Sequence, residues 1–463
     1  MTATGCLKAW CFCCVVLLTN IAKAFLIDEE CVFMVDEQNP LKPVARQLSR
    51  REVLKAGALI GAYGVIRSLW PAWMPRMAFA SDGVQGDTIV CIFLRGGADS
   101  LNMIVPFGDD NYYEARPVLA FGQPDSSDSQ RVLELNDFFG LNPDMRPLHE
   151  LFRAGHLAAV HATGMPHASR SHFEAMDLLE RGTDGQGGAS SGWLGRYLTA
   201  TATEQDSPLR AIGWGEQLPR SLHGYVSSTA MRSIADFHLR GNSSQVDEMT
   251  DELAALYQAS GVPAARAAQS TVEALEKVRQ IDVDRYRPAN GASYSDTDLG
   301  RALKQTAALI KADVGLEVAC VDHGNYDTHV AQGRTDGLMS GLVQNLASSL
   351  RAFHDDLRDY MDRVTVVVMS EFGRRVQENG GGGTDHGHGG AMLVMNGQVT
   401  SRPVIAQWPG LQPDFLDNGD LQVTTDYRNV LSEIMLNRTP NVDITSVFPG
   451  HTYAPVGLFS TSG

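Results

Sequence analysis

Residues 364–369 read Val-Thr-Val-Val-Val-Met, an apolar run without polar alternation. A strand of that kind has to be covered on both faces, and helices flanking a largely parallel sheet are what cover it. Residues 87–94 repeat the pattern and lead into Gly96-Gly97, and shorter runs at 156–161, 209–214, 315–321 and 392–395 read as further strands. Between them, 244–282, 297–313 and 338–361 carry apolar residues at helical spacing, among them Leu253, Leu256, Val272, Leu275 and Val278. This alternation predicts a three-layer α/β/α sandwich on a largely parallel sheet. A single domain is expected over 81–463, with a helical insertion at about 235–312.

The rest of the composition narrows the function. A net charge of −16 argues against nucleic acid and anionic lipid as partners. Five of the seven cysteines fall in the first 31 residues, and Cys91 and Cys320 sit inside apolar runs as expected of buried thiols. Beyond residue 80 no stretch reaches about 18 uninterrupted apolar residues, so no membrane span is expected in the mature chain.

The amino-terminal region has the order of an export signal. Ser49-Arg50-Arg51-Glu52-Val53-Leu54-Lys55 resembles the twin-arginine motif, with Val53 where Phe is usual. An apolar stretch over 56–70 follows, then Ala78-Phe79-Ala80, small at both positions that a signal peptidase requires. Export through the twin-arginine machinery to the periplasm is expected, with a mature chain starting near Ser81. The apolar stretch at 10–27 is broken by Thr19, Asn20 and Lys23, which makes it a poor membrane span, and Met34 is the expected translation start.

Ligands of open parallel sheets bind outside the carboxyl ends of the strands. Arg95-Gly-Gly-Ala-Asp99 follows the first strand, and His161 to His172 follows the second, with His167, Ser169, Arg170 and Ser171 inside it. Asp322-His323, Asp327 and His329 follow 315–321; Ser370-Glu371-Phe372-Gly-Arg374 and then Asp385, His386 and His388 follow 364–369. Seven of the 13 histidines lie in these segments. Asp, Glu and His without cysteine suit divalent Zn, Mn or Mg. One or two such ions can hold the oxygens of a displacement at phosphorus or sulfur, with a nearby Ser as nucleophile. Ser169 and Ser171 both precede a helical stretch. Ser169 is the preferred nucleophile, since Arg170 and Ser171 then begin the helix whose amino end favours an anion. Arg95, Arg170 and Arg374, with His167 and His172, are candidates for gripping an anionic substrate.

Taken in order, Gly-Gly-Ala-Asp-Ser-Leu-Asn-Met-Ile-Val-Pro (96–106), Ser-Arg-Ser-His-Phe (169–173), Asp-Thr-His (327–329), Ser-Glu-Phe-Gly-Arg (370–374) and Gly-Thr-Asp-His-Gly-His-Gly (383–389) resemble the domain-of-unknown-function 1501 family. The resemblance runs from about residue 47 to the carboxyl terminus, and that family looks like a branch of the alkaline phosphatase and sulfatase superfamily. It implies an alkaline-phosphatase-like fold and an exported metal-dependent hydrolase of phosphate or sulfate esters, acting on a small-molecule or polymer ester. By the same resemblance, Asp99, Asp327, His329, Glu371, Asp385, His386 and His388 are metal-ligand candidates. Where the superfamily usually places an Asp-His pair, this chain has Glu371-Phe372, and phenylalanine cannot bind a metal. That departure supports the alternative, a non-catalytic envelope or binding protein that keeps the fold.

Plainer readings stand beside these. Asp99, Ser169 and Ser171 could cap helices, Glu371 could pair with Arg374, and Asp327 with His329 could form a turn. Gly188-Ala-Ser190-Ser-Gly192 matches a nucleophile elbow only in letters, since a glycine-rich loop precedes it where a strand is required.

Overall fold

The two apolar runs form neighbouring strands at the centre of one sheet. Thr88–Leu94 (β1) is buried along its whole length. The other strands are Leu157–Gly164 (β2), Ala211–Trp214 (β3), Thr229–Met231 (β4), Val318–His323 (β5), Val364–Ser370 (β6), Gly390–Met395 (β7), Val404–Ile405 (β8) and Thr425–Asp426 (β9). The computed structural model describes residues 87–184, 189–203, 207, 209–224, 228–236 and 285–459, with a short antiparallel pairing of Phe33–Met34 and Val44–Ala45. The expected export signal (Arg50, Arg51, Ala80) and the helical stretch at 244–282 lie outside the described residues.

The sheet order is β8-β2-β7-β6-β1-β5-β3-β4, with β9 also on β2. All pairings are parallel except those of β7, which runs antiparallel to β6 and β2. A fully apolar strand reads the same in either direction, so the reversal of β7 has no signature in its residues. Register is what matters for the site. Leu94 pairs with Ser370 on one side and His323 on the other, so β1, β5 and β6 end side by side.

Helices His172–Arg181 (α1), Trp193–Ala200 (α2) and Tyr427–Arg438 (α5) share one apolar cluster with Ile89, Cys91 and Phe93 of β1. Val90, Ile92 and Leu94 alternate to the opposite face. There Asp298–Lys311 (α3) packs on β5 and on Leu338–Asp356 (α4). The result is an α/β sandwich with a mostly parallel sheet, as the strand pattern predicts. The run expected to be helical over 338–361 leaves α-geometry after Asp356 and tightens into a 3-10 turn at Arg358–Arg363. Local chemistry sets the helix ends: Thr297 caps α3 by accepting the Gly300 N–H at 3.1 Å. Gly182 ends α1 in the left-handed region (φ 68°), where a Cβ would lie 2.8 Å from Phe448 and Trp193.

Cys91 and Cys320 are buried free thiols. Among the described residues no helix is long and apolar enough to cross a membrane.

Candidate metal centre at the strand ends

The turn leaving β1 brings three strand ends into contact. Gly96 (φ 116°) and Gly97 (φ 66°) occupy backbone regions that favour glycine. A Cβ on Gly96 would sit 2.6 Å from the Asp327 nitrogen, and one on Gly97 would sit 2.5 Å from the Phe372 ring. The exits of β5 and β6 therefore close directly onto the exit of β1.

At that junction lies a cluster of His172, Asp327 and His386 whose ligand-type atoms are all within 4.8 Å of one another. His386 Nε2 and His329 Nε2 each lie 3.0 Å from Asp327 Oδ1 and 2.9 Å from each other. His172 Nε2, at 3.4 Å from the same oxygen, is buried without a hydrogen-bond partner.

The other nitrogen of each ring decides the tautomer. His172 Nδ1 meets Glu371 Oε1 at 2.8 Å, His329 Nδ1 meets Asp385 Oδ1 at 2.9 Å, and His386 Nδ1 meets the Arg170 carbonyl at 2.9 Å. All three partners can only accept, so each neutral ring carries its proton on Nδ1 and a lone pair on Nε2. The Nε2 lone pairs of His172 and His386 and a carboxylate oxygen of Asp327 then lie within 4.8 Å of one another, with the His329 lone pair beside Asp327 and His386. Anionic and lone-pair density gathered this way fits a divalent cation, and Nδ1 anchoring by a carboxylate or carbonyl is the usual support of a metal-binding histidine.

The carboxylates stay ionised. Burial raises the Asp327 carboxyl, but the hydrogen bond and the positive charge of Arg374 outweigh it and lower it. Burial also raises Glu371, and the His172 hydrogen bond with backbone N–H groups, Gly96 at 2.8 Å among them, reverses that and lowers it. Asp385 is lowered first by His329, then by Asn379. The Glu371 hydrogen bond raises His172's affinity for a proton against the opposing effect of burial, and the same electron density strengthens Nε2 as a ligand.

Other expected residues take different places. Asp99 is fully buried, with both oxygens on Arg116 (2.6 and 3.0 Å) and Gln332 donating to Oδ2 at 2.6 Å. Arg95 is engaged by Glu180 at 2.5 Å and Asp322 at 2.9 Å, and lies over the Phe93 ring. His388 bridges Asp417 at 2.8 Å and the Met165 carbonyl at 2.7 Å. Arg374 is buried and ties the carbonyls of Gly96, Gly97, Tyr326 and Thr384 together, besides donating to Asp327 at 2.6 Å. Glu371 and Asp385 orient rings. His172, expected as a substrate contact, supplies the unpartnered Nε2.

Ser169 is buried and donates to Glu174 at 2.7 Å while accepting the Ser171 N–H at 3.3 Å. Ser171 is exposed, stands at the N-cap of α1 and makes no side-chain capping bond. His167 lies 3.8 Å from Glu174 at the surface. Ser190 to Gly192 form a bend and loop that enter α2, and among the described residues no strand directly precedes them. Phe372 packs its ring 4.9 Å from His172 and 5.0 Å from His386, walling one side of the cluster with hydrocarbon.

Sequence reasoning passed over Asp420, which is buried and holds the Arg170 guanidinium through Oδ2. Its signal was the Asn418-Gly419 pair, a tight-turn dipeptide with φ of 53° and 90° that brings Asp417 and Asp420 together. Asn379 was also passed over; it donates to the His329 carbonyl at 2.9 Å and to Asp385 at 3.1 Å, seating the outermost ring of the cluster.

A family described as "Protein of unknown function (DUF1501)" matches residues 87–439. No curated protein matches the chain. Among solved structures, the chain is similar to Ps i-CgsB in complex with k-i-k-neocarrahexaose, at 10% identity over 79% of this chain and 74% of that one, TM-score 0.34. It is also similar to a protein in the alkaline phosphatase superfamily from Vibrio parahaemolyticus, at 12% identity over 78% and 72%, TM-score 0.32. A third likeness is to alkaline phosphatase from the Antarctic bacterium TAB5, at 7% identity over 79% and 100%, TM-score 0.27.

Proposed function

The chain belongs to the DUF1501 family, and from its strand-end cluster we propose that it is an exported, metal-dependent hydrolase of phosphate or sulfate esters. The observation that carries the reading is the convergence of three imidazole Nε2 atoms on Asp327 Oδ1, each ring fixed through Nδ1. His172, Asp327 and His386 hold a divalent ion, with His329 as the fourth donor. Such an ion, when bound, neutralises the ester's anionic oxygens and acidifies a hydroxyl beside it.

The chain's own residues do the rest. Ser171 offers its hydroxyl at the amino end of α1, where backbone N–H groups favour an anion. Arg170, held by Asp420, binds a non-bridging oxygen of the ester. Glu371 keeps His172 in the ligating tautomer, and Phe372 excludes water from the inner side of the rings. The nucleophile assigned here is Ser171 in place of Ser169, whose hydroxyl is engaged by Glu174.

One observation favours a second reading, a binding protein without turnover. Phe372 occupies the place of a further ligand, and the Arg374 guanidinium already neutralises Asp327, which restricts the centre to a single ion. The two readings separate on the exported protein loaded with Zn, Mn or Mg and offered aryl phosphates and aryl sulfates. Turnover that disappears in Ser171→Ala supports the hydrolase. Tight metal binding with no turnover of either ester class supports the binding protein, and absence of metal binding in the folded chain contradicts the hydrolase.

A further inference from the structure

Beside the strand-end cluster, four contacts close a ring that carries two arginines. His386 Nδ1 meets the Arg170 carbonyl at 2.9 Å, and Arg170 Nε donates to Asp420 Oδ2 at 3.0 Å. Arg375 Nε faces the other oxygen of Asp420 at 3.9 Å, and the Arg375 N–H returns to the Asp385 carbonyl at 2.9 Å, one residue before His386. Both arginines are therefore tied to the segment that delivers His386. Their nearest side-chain nitrogens lie at most about 9 Å apart, across the two oxygens of one carboxylate.

Burial and charge are divided unevenly in this ring. Asp420 is fully buried, whereas the Arg170 and Arg375 side chains keep 39% and 38% of their surface exposed. A buried carboxylate beneath two half-exposed guanidiniums can neutralise only one of them. Arg170 takes it, bonding Oδ2 through both Nε and Nη2, while Oδ1, on the Arg375 side, is buried without a hydrogen-bond partner. Asp385 feels the Arg375 charge, but its Oδ1 is bonded to His329 and Asn379. Among the described residues no carboxylate lies within hydrogen-bond distance of Arg375, whose Nη1 reaches only the Asn418 carbonyl at 3.3 Å.

Resting on the ester reading, which gives Arg170 the reacting group, we infer that the substrate carries a second anionic group beside the scissile ester and that Arg375 binds it. Arg375 is then the residue that selects a doubly anionic ester over a singly anionic one. Its planar fork matches a carboxylate, phosphate or sulfate through two parallel N–H donors. Because the side chain is part-exposed, water screens the pairing. The second charge should therefore bring about a tenfold gain in affinity, against about a hundredfold for a fully buried pair.

The test uses two non-hydrolysable probes of the same shape, (3-carboxyphenyl)phosphonate and (3-carbamoylphenyl)phosphonate, titrated calorimetrically at neutral pH into the full chain loaded with Zn. They differ by one negative charge. The carboxylate probe should bind about tenfold more tightly. That ratio should fall to about one in Arg375→Gln, and Arg375→Lys, which keeps the charge without the fork, should retain part of it. Equal affinities in the unaltered protein overturn the second-anion inference and leave the ester reading intact. A carboxylate preference that survives whole in Arg375→Gln overturns the assignment to Arg375. If neither probe binds, the ester reading falls and takes the inference with it.

Discussion

Asp99→Ala separates the two roles open to that carboxylate. In the structure Asp99 and Arg116 are both fully buried. Removing the carboxylate leaves the guanidinium with neutral acceptors only: Asn102 Oδ1 at 2.7 Å and the carbonyls of Val376 and Arg375, each at 2.9 Å. Breaking a buried pair from one side costs about 3–5 kcal/mol, because the surviving charge stays desolvated. Gln332 loses an acceptor as well, which places the cost towards the upper end. Unfolding entropy of about 2.1 cal/mol/K per residue converts this, in a chain of this length, to a Tm loss of roughly 3–5 °C. Scanning calorimetry measures that loss, and metal analysis of the same sample should find the ion retained. A variant that melts like the unaltered protein but has lost its metal would refute the structural assignment of Asp99.

Three further outcomes are expected. Glu371→Gln should weaken metal affinity about 10–100-fold, as loss of an anchoring carboxylate does, with circular dichroism unchanged; unaltered affinity would remove Glu371 from the ring-orienting role. His161 is held near 4 by burial, with Nε2 donating to the Ile104 carbonyl at 3.0 Å and Nδ1 accepting the Ala162 N–H at 2.8 Å. Between pH 6.5 and 4 the unfolded chain therefore binds a proton that the folded chain refuses, and stability falls with falling pH by about 2–3 kcal/mol at pH 4.5. His161→Gln should narrow the gap between urea midpoints at pH 7 and pH 4.5, and an unchanged gap would assign the acid loss elsewhere. Arg50→Lys with Arg51→Lys should leave folded protein inside the cell, as fractionation would show, and efficient export of that variant would contradict the twin-arginine reading.

The fold was legible where residues had to satisfy a two-sided burial requirement. The runs at 87–94 and 364–369 can hardly be anything but central strands, and the polar segments after them had to share one edge. Legibility stopped where a partner came from a distant segment. Asp99 looks like a ligand until Arg116 is found beneath it, and nothing around Arg116 marks it as a core guanidinium. In sequence His388 is a ligand candidate and His172 a substrate contact, and the structure exchanges those places. What distinguishes them is that Glu371 leaves one His172 nitrogen unpartnered, whereas Asp417 and Met165 use both nitrogens of His388. The direction of β7 was hidden for a different reason, since its apolar residues satisfy either orientation.

The central claim is a single cation held by His172, Asp327, His386 and His329, and metal stoichiometry tests it most directly. Protein saturated with Zn and passed through a desalting column should retain one ion per chain by elemental analysis. His172→Ala and Asp327→Ala should each retain none while keeping the secondary structure of the unaltered protein. Two ions per chain, or full retention in His172→Ala, would contradict the account.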